Sequence, residues 1–482
     1  MSDPILEQHK LKRILGFWPA YGAAVGLVVS GTAMFSVGNV GGTTGYATLI
    51  TAAIALIPML GAAFAYGELT AMLPGGGMIS DYTMPALGRF WAIFSLLSGY
   101  VLLIAADGGT QLVMGGLSIE SLWGIPQPVT TAILFIFVIG VNLAGVAFYG
   151  KTEAVMTVVM MVFFALLSVA GFAHIGESFG AVPVNANMAF LPAGGWPTVF
   201  GAVGVAIWFF IGFEFACPMA EENKKPYKYI PYGLIIGLIS IYILDVLFAT
   251  AAVRYTPLEV LQTSPIPHVE GAKAMLGTVG FVTMSLLTVL ASLTTANAYA
   301  AALPRMLYGM ARENLVPRFF SKIHPKYRTP WNGIIFTGLL MFITFLYITI
   351  NGADVNTVLT FIMTACITWM ISYTIAMLDV LILRRRYPDF PRLWKAPFAW
   401  VTLPIGILGV VYAISTLQAY LMGSVICMVI VAVYAVTWMK YHKIPMFEKF
   451  PLENIAKDIR ERSEYLPVWD EAVAEWLSKR GK

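Results

Sequence analysis

The chain has 482 residues, 58% of them hydrophobic and only 12% charged, against roughly 45–50% apolar and about 25% charged in an average soluble protein. So few charges cannot clothe a soluble globule of this size, and with a mean hydropathy of +0.76 the apolar surface has to face a bilayer. A net charge of +4, scattered along the chain, excludes a nucleic-acid module with a basic face, and an odd three cysteines in apolar stretches (Cys217, Cys366, Cys427) exclude a disulfide framework or a metal cluster.

Residues 1–16 form a polar N-terminal segment without the pattern of a cleavable signal peptide. Beyond it, long apolar runs predict twelve transmembrane helices: α1 17–39, α2 45–70, α3 88–115, α4 126–148, α5 152–175, α6 197–219, α7 230–253, α8 275–305, α9 331–350, α10 355–382, α11 398–420 and α12 422–440. An extracellular loop is expected at 176–196. The stretch 383–440 holds a basic loop and the last two helices. The tail 441–482 alternates charges with the apolar residues Ile455, Ile459, Leu466, Val468 and Trp476, as an amphipathic cytoplasmic segment does.

Lysine and arginine are retained on the cytoplasmic side of a membrane. With both termini placed inside, the gaps after α2, α4, α6, α8 and α10, taken with the helix ends that border them, and the two tails hold 28 of the 30 basic residues; Arg254 and Lys273 fall outside. A miscount by one helix would scramble this asymmetry. It predicts a multi-pass protein of the plasma (inner) membrane with cytoplasmic termini, and it explains the basic clusters as topological anchors.

Two helices contain sequence that sits badly in a continuous helix. Helix α1 carries Gly26-Leu-Val-Val-Ser-Gly31-Thr-Ala, and α6 carries Gly201, Gly204 and then Ile207-Trp-Phe-Phe-Ile-Gly212-Phe-Glu214. Glycine costs about 1 kcal/mol relative to alanine inside a helix. Interrupted segments in corresponding places of two halves point to a transporter's binding site, whereas the plainer reading is close helix packing. The offset of five helices is what inverted repeats of α1–α5 (17–175) and α6–α10 (197–382) produce.

Motifs at successive membrane borders carry a resemblance. They are Val25-Gly-Leu-Val-Val-Ser-Gly31, Tyr66-Gly-Glu-Leu-Thr-Ala-Met-Leu-Pro-Gly-Gly-Gly77, Phe210-Ile-Gly-Phe-Glu214 with Ala220-Glu-Glu-Asn-Lys-Lys-Pro226, Arg305-Met-Leu-Tyr-Gly-Met-Ala-Arg312-Glu-Asn-Leu-Val-Pro317, and Arg386-Tyr-Pro-Asp-Phe-Pro-Arg392. In this order the chain resembles the amino acid, polyamine and organocation transporter superfamily, with local likeness to ethanolamine and amino acid permeases. The resemblance implies an all-α polytopic fold with a leucine-transporter-like core of five plus five inverted helices, discontinuous α1 and α6, and α11–α12 appended.

It also implies a site. The α1 break would present Val29, Ser30, Gly31 and Thr32, with backbone N–H groups for a carboxylate or other polar end, opposite carbonyls of Ile207, Trp208, Phe209 and Gly212 in α6. Trp208 falls where the family places a large aromatic over the substrate, and Tyr299 aligns with a second pocket aromatic. Asp107, deep in α3, is a functional candidate on physical grounds alone, since an ionisable residue in a span is costly. It lands where arginine and agmatine exchangers of the family hold the substrate amine; a coupling-proton site or a structural partner of a hydroxyl are its other readings. Ethanolamine permeases continue with an acidic, aromatic-rich stretch where this chain has Thr32-Ala-Met, which leaves the cargo open.

Glu68 and Glu214 match family positions and read as gating, coupling or packing residues. Asp245 and Asp379 read as structural, with Asp379 close enough to Arg384–Arg386 to pair with an arginine. Some family members carry a coupling lysine in α5; here Met160 holds that position and cannot titrate. The proton then falls to Asp107 or another acid, or a sodium ion is held with help from Ser292, Thr294 or Thr295, or no ion is coupled. No cofactor or metal pattern is present. The expected partners are a small-molecule amine or amino acid, a coupling proton or sodium ion, and membrane lipid. Histidines confined to loops and tails, with no His-Glu-x-x-His or Gly-x-Ser-x-Gly spacing, argue against an enzyme. A secondary transporter is the leading expectation, and a transporter-like solute sensor the other.

Overall fold

The computed structural model describes residues 12–145, 151–327 and 329–480. Within them the chain is helical, apart from turns, loops and isolated backbone pairings such as that of Leu15 with Asn223. Ten segments are long and apolar enough to cross a membrane by length and composition, and Gln127–Leu143 is a shorter apolar helix. The predicted end of α4 at 148 and residues 1–11 of the N-terminal segment lie outside the described residues.

All twelve expected helices appear among the described residues, several with shifted ends. Helix α1 is two pieces, Phe17–Gly26 and Gly31–Thr44, and α2 is Thr48–Met72. Helix α3 runs Arg89–Trp123, eight residues past its predicted end, because the polar residues after 115 (Ser118, Glu120, Ser121) end the apolar run without ending the helix. Helices α4 and α5 are Gln127–Leu143 and Lys151–Phe172, and α6 is a chain of short pieces across Gly195–Glu221. Helix α7 is Pro226–Tyr255; α8 lies in Pro267–Arg312, which bends at Leu276 and Gly277, so that 267–275 is a separate short helix. Helices α9 to α12 are Trp331–Asn351, Val355–Arg386, Ala399–Thr416 and Gln418–Tyr441.

Burial divides these helices into a core and a shell. The second piece of α1 and the central stretch of α6 are almost wholly buried, whereas α4, α5, α9, α11 and α12 expose apolar side chains such as Ile136, Val158, Ile343, Leu408 and Ile430. Apolar side chains facing outward need a hydrocarbon solvent, so the low charge content follows from the shell.

Helix α3 reaches the core by close approach to α9. A Cβ on Gly109 would lie 2.5 Å from both the Met341 carbonyl oxygen and the Phe345 nitrogen, so only glycine fits there. Two π-helical turns, Leu97–Val101 and Ile104–Gly108, interrupt α3 next to this contact. Such turns free backbone carbonyls, and Thr344 of α9 donates its hydroxyl to that of Ala105.

The tail folds back as two helices, α13 Leu452–Arg462 and α14 Pro467–Arg480. The Trp469 indole is buried and donates to the Met72 carbonyl at the end of α2 (2.9 Å), and Trp476 packs edge-on against Phe390. Arg13 reaches both neighbours, with its backbone N–H on Glu464 (2.6 Å) and its guanidinium on the Ala220 carbonyl (2.7 Å). The amphipathic pattern read in 441–482 is therefore spent on the protein's own terminal face.

Gly109→Ala is expected to lower stability by about 1–3 kcal/mol, since the clash is with backbone that cannot turn aside. Gly140→Ala in α4, where nothing lies within 4 Å of the new methyl, should be neutral or gain up to about 1 kcal/mol. Thermal unfolding in detergent compares them, and equal melting temperatures would refute the close-packing account.

Candidate functional site

The two breaks touch. Residues 27–30 leave the helix in α1, and in α6 Ile211 is extended while Gly212 takes a φ of +109° that side chains disfavour. A Cβ on Gly212 would lie 2.2 Å from Leu27 Cδ2, so one break is seated on the other. Gly26 and Gly31 bracket the α1 break as close contacts, with Thr157 of α5 and Ser292 of α8 each 2.5 Å from a hypothetical Cβ. Interruption and close packing, alternatives on sequence, are both present.

Asp107 lies beside this crossing with no exposed surface. Its Oδ1 accepts from the Thr32 hydroxyl (3.0 Å), and its Oδ2 from Gln111 Nε2 (3.0 Å) and the Tyr299 hydroxyl (2.8 Å). Thr32 Oγ1 in turn accepts from Gln111 Nε2 (2.7 Å) and Trp208 Nε1 (3.1 Å), which fills both lone pairs of a hydroxyl that has already donated its proton. The network draws one residue or more from each of α1, α3, α6 and α8. Ser30 caps the second piece of α1 through the Ala33 N–H (3.1 Å) and stands 3.5 Å from the Thr32 hydroxyl.

Of the expected site residues, the structure thus brings together Ser30, Thr32, Asp107, Trp208 and Tyr299. Gly31 and Gly212 serve as close contacts. Val29, Ile207 and Phe209 are buried apolar neighbours along the breaks and add no side-chain hydrogen bond. Gln111 was missed. It stands one helical turn after Asp107 on the same face, and an amide in an apolar span is the signal that marks it.

Glu214 occupies a second buried site beneath the α6 break. Its Oε1 accepts from Trp369 Nε1 (2.7 Å) and the Tyr100 hydroxyl (3.2 Å), and its Oε2 from the Tyr373 hydroxyl (2.5 Å). Tyr373 also receives the Gly212 N–H (3.2 Å), which ties this carboxylate to the break itself. Tyr66 reaches Tyr100 (3.2 Å), and the Phe215 ring lies between this cage and Tyr299. The spacing of Trp369 four residues before Tyr373 puts that pair on one face of α10.

Glu68 does not join either cluster. Arg384 forks onto its two oxygens (2.8 and 2.5 Å), Arg392 Nε is 3.2 Å away, and the Ala396 N–H adds a fourth contact (2.8 Å), so Glu68 fastens α2 to the end of α10. That occupies Arg384, and Asp379 accordingly takes a hydrogen bond from Thr83 (2.6 Å) in place of the arginine pairing expected from sequence. In α5 the Met160 sulfur sits 3.8 Å from the Thr294 hydroxyl. Ser292 Oγ and Thr295 Oγ1 are buried with no hydrogen-bond partner among the described residues.

Interrupted helices that enclose buried polar side chains inside an apolar shell define a polytopic membrane transporter. The chain belongs to the amino acid permease family, whose model matches residues 15–440. It is similar to the branched-chain amino acid permease BcaP of Bacillus subtilis, 25% identical over 443 residues that cover 85% of this chain and 89% of that protein. It is also similar to the methylthioribose transporter of Bacillus subtilis, 23% identical over 84% of this chain and 88% of that one. In fold it matches the Eremococcus coleocola manganese transporter with a TM-score of 0.58 at 13% identity, covering 94% of this chain and 98% of that one.

The Glu214 cage predicts unequal costs for its donors. Trp369→Phe removes a direct N–H donor to a buried carboxylate and should cost about 1–3 kcal/mol, whereas Tyr66→Phe removes a hydroxyl bonded only to another hydroxyl and should cost about 0.5–1.5 kcal/mol. Melting temperatures of the two variants read the difference, and a larger loss in Tyr66→Phe would contradict the arrangement.

Proposed function

We propose that the protein is a secondary active transporter that imports or exchanges a small organic amine or amino acid across the plasma membrane by alternating access. The observation that carries this reading is the buried Asp107 carboxylate at the crossing of the two breaks, ringed by Thr32, Trp208 and Tyr299 from three other helices. A carboxylate kept in that position offers a cation its counter-charge, and a cation lying over the ring of the neighbouring Trp208 would gain about 0.5–2 kcal/mol of cation–π attraction. The relatives' names alone do not choose the cargo, since a branched-chain amino acid and methylthioribose share little chemistry.

The repeats α1–α5 (17–175) and α6–α10 (197–382) supply the moving parts, with the contact of Leu27 on Gly212 as the point where the broken helices hinge. The Lys and Arg distribution supports the terminal face as the cytoplasmic one. Met160 leaves α5 without a titratable group at its contact with Thr294, so the coupling proton is assigned to Asp107 or Glu214. Sodium coupling is the second reading, favoured by the Ser292 hydroxyl beside Gly31 and the Thr295 hydroxyl on the same helix, both without a hydrogen-bond partner among the described residues. Uptake into proteoliposomes under separately imposed proton and sodium gradients distinguishes the two; a solute sensor would bind without accumulating its ligand under either.

Asp107→Asn is expected to weaken binding of a cationic amine by roughly 30-fold or more, because truncating a desolvated charge pair costs about 2 kcal/mol or above. Titration of a panel of amines and amino acids against the purified protein tests it, and unchanged affinity across the panel would remove Asp107 from the site.

A further inference from the structure

An amino acid substrate brings a carboxylate as well as an ammonium group, and the α1 break is where its carboxylate would need free N–H donors. Those donors are largely taken. Of the four N–H groups that open the second piece of α1, Ala33 is bonded to Ser30 Oγ (3.1 Å), Met34 to the Ser30 carbonyl (3.0 Å) and Thr32 to Gln111 Oε1 (3.4 Å). Only Gly31 is left, and where its side chain would begin Ser292 Oγ (2.5 Å), Met114 Cβ (3.1 Å) and the Gln111 amide oxygen (3.4 Å) already crowd in.

The charge pattern points the same way. Asp107 Oδ1 is 3.0 Å from the hydroxyl of Thr32, the residue whose N–H would bind the incoming carboxylate. Two carboxylates brought so close in a buried site repel, and like-charge juxtaposition costs several kcal/mol. Gln111 fits the place without that penalty. Its amide oxygen sits on the Thr32 N–H, as a substrate carboxylate would, and its amide nitrogen sits on Asp107 Oδ2, as a substrate ammonium would. The side chain is a neutral stand-in for both ends of an amino acid.

We infer that the cargo is an organic cation without a carboxylate, and that Gln111 is the specificity residue that fills the anion position of the α1 break. The incoming ammonium takes over the place of the Gln111 amide nitrogen on Asp107, while the amide oxygen stays on Thr32. This rests on the transporter reading and on Asp107 as the cation's partner.

The test uses amino acids paired with their own decarboxylation products: lysine with cadaverine, arginine with agmatine, serine with ethanolamine, and tyrosine with tyramine. Binding is titrated on the full-length protein in detergent. In every pair with a binding member, the amine should bind about 10-fold or more tighter than the acid. Gln111→Ala should narrow that gap about 10-fold by freeing the Thr32 N–H, and Gln111→Met should narrow it by a smaller factor. Wild-type protein that binds an amino acid as well as its amine overturns the substrate class, even if neither variant folds. A gap unchanged in the variants overturns the role of Gln111. Binding of no member of any pair by the wild type defeats the amine and amino acid reading itself and this inference with it.

Discussion

A carboxylate in the middle of an apolar helix has to be met by donors from other helices, and that requirement at Asp107 organises the centre of this protein. An unmatched polar group in hydrocarbon costs several kcal/mol. Thr32, Gln111 and Tyr299 meet it directly, and Trp208 secures Thr32 in turn. These contacts fix α1, α6 and α8 around α3. The glycines beneath them are the geometric precondition: Gly109 lets α3 press against α9, and Gly31 lets α1 press between α3 and α8.

Glu214 repeats the arrangement one storey toward the terminal face, with tryptophan and tyrosine donors in place of threonine and glutamine. The two carboxylates are joined through the α6 break, since Tyr373 bonds both Glu214 and the Gly212 N–H, and Gly212 bears on Leu27 of the α1 break. Below them Glu68, held by Arg384 and Arg392, and Trp469, seated under Met72, fasten the terminal ends of α2, α10 and the tail. The α1 piece Phe17–Gly26 is tied at its start as well, by Leu15 on residues 222 and 224. The broken helices therefore lie between a bonded rim and a bonded centre.

Spans and breaks were legible in the sequence because hydropathy and misplaced glycines act locally. A run of apolar residues reports a membrane helix without any knowledge of its neighbours, and Gly26, Gly31 and Gly212 announced strained or crowded backbone by their position alone. Asp107 was legible for the same reason, as a charge where charges do not belong. What was not legible was pairing. Asp379 stands five residues before Arg384, yet Arg384 bonds Glu68 from a helix over 300 positions away, and sequence distance cannot rank those partners. Gln111 escaped because an amide is only mildly unusual in a span; its importance comes from sharing a face with Asp107 and facing the α1 break. The tail's amphipathic pattern was visible, while the surface it covers was not.

The same division explains how relatives at a quarter identity can differ in cargo. Close helix contacts and apolar shells need residues of a certain size and polarity, which many sequences satisfy, so the arrangement of helices survives even at 13% identity. Selectivity needs particular atoms at particular distances. On the proposed reading those atoms sit on the facing turns of α1, α3 and α8: the Thr32 hydroxyl and N–H, the Asp107 carboxylate, the Gln111 amide and the Tyr299 hydroxyl. In the α1 break Ser30 and Gln111 already occupy the Ala33 and Thr32 N–H donors. Under the proposal, specificity is set as much by what the protein has already bonded to itself as by what it offers.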